Sequence, residues 1–128
     1  MLVAALAATA CSGGHYRAGP HSARLNVRQL RQPGPIPVEG AYSYARVERE
    51  GKTVVQARLS AALVPRAVIR LDPGSYRLAS FQRDCSGNCH FLDPPSDECS
   101  RAFSVQEDET VTAPVRVTFG TGCRISFR

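Results

Sequence analysis

The sequence predicts an all-β fold, a sandwich of seven or eight short strands in two sheets with a disulfide-bonded loop. Three observations carry that expectation. From about residue 24 onward no stretch repeats apolar residues at spacings of three and four over helical length, as an amphipathic helix requires. Several runs instead alternate apolar and polar residues with period two, and Gly, Pro and Asp turn signals separate them. Four cysteines, Cys85, Cys89, Cys99 and Cys123, fall in the same region.

Arg24 to Leu30 is expected as the first strand. Ala41 to Glu48 and Thr53 to Leu59 flank the charged turn Arg49-Glu50-Gly51-Lys52 and predict a hairpin. Ala67 to Leu71 meets Ser75 to Arg83 through Asp72-Pro73-Gly74. There Pro73 fixes φ at the first central position of a type II turn and Gly74 supplies the positive φ of the second. Ala102 to Val105 reads as a short strand with Phe103 and Val105 inward. Thr110 to Phe119 alternates most cleanly: Val111, Ala113, Val115, Val117 and Phe119 face one way, and Thr110, Thr112, Pro114, Arg116 and Thr118 the other. Pro114 cannot donate to a ladder, so this strand is expected at a sheet edge or bulged. Cys123 to Phe127 closes the chain after Gly120-Thr121-Gly122.

Pro37-Val38-Glu39-Gly40-Ala41 leading into a strand, then Leu71-Asp72-Pro73-Gly74-Ser75-Tyr76-Arg77-Leu78, then Phe103-x-Val105 before an alternating strand, resembles the carboxypeptidase regulatory-like domains. These are prealbumin-type β-sandwiches related to transthyretin. The resemblance covers residues 24–128 and implies a prealbumin-like or Ig-like sandwich that is structural, accessory or ligand-presenting on surface proteins. It carries over no catalytic residues. The cysteine-rich insert between Cys85 and Cys99 departs from the family pattern.

The N-terminus points to location. Leu2-Val3-Ala4-Ala5-Leu6-Ala7-Ala8-Thr9-Ala10 is apolar and small, and Cys11-Ser12-Gly13-Gly14 follows at once. This resembles a bacterial lipoprotein signal, which implies lipidation of Cys11 and an extracytoplasmic, membrane-anchored product. A helix of ten residues spans only about 15 Å, half the hydrocarbon core, so residues 1–10 suit a cleaved signal peptide and not a spanning segment. No Lys or Arg precedes Cys11, which we read as a start codon assigned too far downstream. Residues 11–23 are expected to form a flexible tether and residues 24–128 the domain.

All the basic residues except Lys52 are Arg, and the net charge is +5. Arg17, Arg24, Arg28 and Arg31 come before any acidic residue, the first of which is Glu39, whereas beyond Pro33 the charges nearly balance. The early arginines are therefore expected to face anionic headgroups beside the lipid. Nucleic-acid binding is not expected, because it calls for a basic face on the domain itself.

With Cys11 lipidated, an even set of cysteines remains in an oxidising compartment. Of the three possible pairings, Cys89 with Cys99 and Cys85 with Cys123 is the expected one, the first closing the loop around Leu92-Asp93-Pro94-Pro95. An alternative function is a metal- or redox-active module on this loop, using Cys85, Cys89, His90 and Cys99; an exported thiol cluster is more often oxidised than metal-bound, and the spacing has one residue too many for the common haem motif. No cofactor is expected. No enzyme activity is expected either, since His15 and His21 lie in the tether and only His90 could serve a catalytic group. The acidic clusters Asp93, Asp97, Glu98 and Glu107, Asp108, Glu109 lack the spaced oxygen ligands of a calcium loop. Tyr42 and Tyr44 are the candidate binding residues. They share one face of their strand opposite Ala41, Ser43, Ala45 and Val47, and would offer aromatic rings to a cell-wall glycan or an envelope protein if the small set points inward.

Overall fold

Alternation sorts the side chains of this chain into an inward and an outward set, and the inward sets of two sheets make one core. The computed structural model describes residues 16–31, 42–85 and 91–128. Among them are eight strands: β1 (Ala23–Arg31), β2 (Tyr42–Arg49), β3 (Lys52–Arg58), β4 (Arg66–Leu71), β5 (Gly74–Arg83), β6 (Ser96–Val105), β7 (Thr110–Thr118) and β8 (Gly122–Ile125). One sheet has the order β4-β1-β7-β8 and is called sheet A here; the other, sheet B, has the order β3-β2-β5-β6. The result is a β-sandwich of eight strands in two sheets, as the sequence predicts.

Leu25, Val27, Val115 and Val117 of sheet A pack on Ala45, Val47 and Leu78 of sheet B, all at 0–1 % exposure. Burying an aliphatic side chain of this size stabilises by about 1.5–3 kcal/mol. At one end the core turns polar. The Ser43 hydroxyl donates to Gln29 Oε1 at 2.8 Å, Arg31 Nε donates to the same oxygen at 3.2 Å, and Gln82 sits opposite Ser43 in register.

The β2–β3 hairpin turns through Glu50 and Gly51, at φ 52° and 76°, the two left-handed residues that a type I′ turn needs. Asp72-Pro73-Gly74 departs from expectation. It joins strands of different sheets as a corner, and Gly74 has φ 154° where a type II turn wants about 80°.

Pro114 also corrects its reading, for β7 lies inside sheet A between β1 and β8. The Pro114 carbonyl accepts from Ser126 N–H at 3.0 Å, one residue past the end of β8. A strand residue turns its nitrogen to the same side as its oxygen, so Pro114 forgoes one bond toward Ser126, and the pairing resumes beyond it where Thr112 and Arg128 exchange bonds of 3.1 and 2.9 Å.

β6 is the largest surprise. Only Ala102 to Val105 was expected as strand, but the pairing with β5 runs from Gly74↔Val105 to Gln82↔Ser96. The polar stretch Ser96–Arg101 belongs to an edge strand and needs little apolar burial.

The expected cysteine pairing is overturned for the same reason. Cys99 and Cys123 are bonded, with Cα atoms 5.4 Å apart. Because β6 reaches back to Ser96, Cys99 lies on the inner side of one sheet edge, across from Cys123 on the facing edge strand β8. Cys85 is disulfide-bonded too, and its partner lies outside the described residues. The bridge closes a seam that other contacts also hold. Phe103 stacks on Phe127 at 5.0 Å, Arg101 donates to the Ile125 carbonyl at 3.0 Å, and Gly122 N–H donates to Asp97 at 3.1 Å.

Replacing Cys99 and Cys123 together by Ser is expected to cost about 2–4 kcal/mol in chemical unfolding. Non-reducing peptide mapping should recover a Cys99–Cys123 peptide, and a Cys85–Cys123 peptide in its place would refute the seam.

Candidate functional site

Two outward faces and one clasp hold the residues singled out in the sequence. Residues 1–15, which include Cys11, lie outside the described residues, and so do Cys89 and His90. Part of the expected tether is not free. Tyr16 donates its hydroxyl to Asp72 Oδ2 at 3.1 Å and accepts from Asp72 N–H at 2.9 Å, while Gly19 N–H donates to Asp72 Oδ1 at 2.7 Å. Tyr76 adds a bond to the Asp72 carbonyl at 2.6 Å. The carboxylate at the β4–β5 corner is thus a clasp for residues 16–22, and the domain begins earlier than Arg24. Burial is the main cause that pushes the Tyr16 phenol up to about 12.

On β2 the small residues Ser43, Ala45 and Val47 are buried, so Tyr42 and Tyr44 point outward from sheet B. They are half-buried, because neighbours cover them. Tyr44 stacks on Phe81 of β5 with ring centroids 5.4 Å apart and planes 13° apart. The Arg58 guanidinium lies 4.2 Å from the Tyr42 centroid, and that of Arg46 lies 5.1 Å from Phe81. Phe81 is only 3 % exposed although it faces out. Its signal in the sequence is parity, since it follows Ser75, Arg77 and Ala79 on the outward side of β5. Arg46 also bonds Glu48 at 2.9 Å and Glu98 at 3.2 Å, which ties β2 to β6 across this face. The result is a strip of aromatic planes edged by guanidinium groups, suited to stacking against a flat apolar or sugar surface.

The four early arginines separate. Arg17 is exposed beside the clasp. Arg31 has the inward parity of β1 and caps the polar end of the core, its guanidinium 5.7 Å from the Phe119 centroid. Arg24 and Arg28 are exposed on the outer face of sheet A, where Arg66, Arg70, Arg116 and Arg124 join them. The balanced charge count beyond Pro33 therefore hides a segregation, and the domain does carry a basic face.

Cys99 is committed to Cys123, which removes it from the thiolate set that a metal or redox centre on the 85–99 loop would need. His21 faces Asp108 at 3.5 Å, with both side chains about two-thirds exposed. No family model matches this chain, and neither the curated proteins nor the solved structures include a significant match to it.

The raised phenol of Tyr16 sets a pH dependence. The folded state favours the protonated form, so the stability this group contributes is complete below its ordinary value of 10.0 and is lost as pH rises toward 12. Tyr16→Phe should abolish both this alkaline loss in thermal unfolding and the latest-titrating step of the phenolate absorbance. A variant that keeps that last step would show the clasp to be open in solution.

Proposed function

We propose that this chain is an exported, lipid-anchored protein of the cell envelope whose sandwich is a non-catalytic, ligand-presenting module of the carboxypeptidase regulatory-like kind. The disulfide across the β6–β8 seam is the observation that carries the reading, since such bonds form and persist in oxidising compartments. Acyl groups on Cys11, exposed by removal of the apolar stretch before it, supply the anchor, and the clasp at Asp72 holds the leash to the domain. The tyrosines Tyr42 and Tyr44 of sheet B, backed by the buried Phe81, are the surface offered to a partner, a cell-wall glycan or an envelope protein. Two outward tyrosines on one strand, braced by Phe81 and Arg58, have no packing duty inside the core.

Intact mass measurement of native material tests the anchor. The expected species begins at Cys11 and carries acyl groups, whereas an unmodified chain still beginning at Met1 with reduced thiols would overturn the reading. For the strip, Tyr42→Ala with Tyr44→Ala should leave the unfolding transition cooperative and abolish retention on cell-wall glycan or release a specific co-purifying envelope protein. A double variant that binds as the parent does would remove the strip from the function.

A further inference from the structure

The outer face of sheet A is the most one-sided surface among the described residues. Its four strands contain no acidic residue, and six exposed arginines point out from them: Arg24, Arg28, Arg66, Arg70, Arg116 and Arg124. The register sets Arg24 directly opposite Arg70, Arg28 opposite Arg66, and Arg116 opposite Arg124. Like charges directly opposed across strands are destabilising, so folding alone does not favour this arrangement. None of the six forms a salt bridge among the described residues. The nearest carboxylates along the chain are occupied: Asp72 holds the clasp, and Glu109 accepts from Gln106 N–H at 3.2 Å.

We propose that this face docks on anionic lipid headgroups and lays the domain flat on the membrane, with the tyrosine strip of sheet B turned away from it. Charge complementarity selects an anion, and the breadth of the face selects an extended one. A depression along it is lined by Asn26, Arg28, Arg66, Val68 and Thr112, and Val68 is 63 % exposed. The choice of lipid over other polyanions rests on the anchored reading above. From Cys11 to Tyr16 the chain can span at most about 18 Å even when extended. It meets the domain at Asp72, two residues from Arg70, so the leash leaves from the rim of the arginine face.

The test uses the full chain carrying Cys11→Ser, so that no acyl group contributes, sedimented with phosphatidylcholine vesicles with and without phosphatidylglycerol. Binding is expected only with the anionic lipid, weakening as salt rises. It should fall about five-fold for each arginine of the face replaced by Ser. The variant Arg24→Ser with Arg70→Ser should lose affinity while keeping or gaining thermal stability, as an opposed like-charge pair is removed. The Arg116→Ser with Arg124→Ser variant repeats the test at the other end of the sheet, and Lys52→Ser with Arg77→Ser on sheet B should change nothing. Equal binding to both vesicle types, equal loss from the sheet B variant, or retention on DNA or heparin without vesicle binding would each overturn the proposal. Because acylation is absent from the assay, its outcome is independent of the mass measurement that tests the anchor.

Discussion

A core one side chain deep on each sheet is the constraint from which the rest of this structure follows. Leu25, Val27, Val115 and Val117 can meet Ala45, Val47 and Leu78 only if every contributing strand keeps strict alternation, because a slip of one residue would turn the whole apolar set to water. Satisfying that rule leaves every second position free of packing duty. The two sheets use this freedom differently, one for arginines and the other for aromatic rings braced by guanidinium groups.

The strands were legible in the sequence where both requirements coincide, as in β1, β2 and β7, most of whose inward residues are buried and most of whose outward ones are polar. Legibility fails where tertiary context replaces the pattern. Ser96–Arg101 joins a ladder as an edge strand, and its hydrogen bonds to β5 come from backbone that any polar residue supplies. Pro114 signalled an edge, yet it sits inside a sheet, because the ladder gives up a single bond there and is carried on around it by Ser126 N–H and by the Thr112–Arg128 pair. The disulfide was out of reach for a different reason. Which cysteines meet depends on which sheet edges face each other, and extending β6 by six residues moves Cys99 from a loop to the β8 seam.

The candidate sites were legible to unequal degrees. Tyr42 and Tyr44 lie on one strand, so parity alone gave their orientation once Ser43, Ala45 and Val47 were recognised as inward. Phe81 completes the strip from β5, with no local signal that it would pack under Tyr44. The arginine face was invisible to a running charge count. Its members come from four strands scattered between Arg24 and Arg124, and the acidic residues among the described residues are placed by the fold in sheet B, the turns and the loops. Arg31 shows the converse, a basic residue grouped with Arg24 and Arg28 by proximity in the chain and separated from them by the pleat.

The position of β1 bears on mechanics. This first strand is paired along most of its length on both sides, antiparallel to β4 and parallel to β7. Tension applied at the N-terminus runs along the strand axis, so the hydrogen bonds to both neighbours are sheared together and do not open one at a time as they would at a peeled edge. Forced unfolding is governed by the barrier to that concerted step. A pull from this end of the domain is therefore met by two ladders at once.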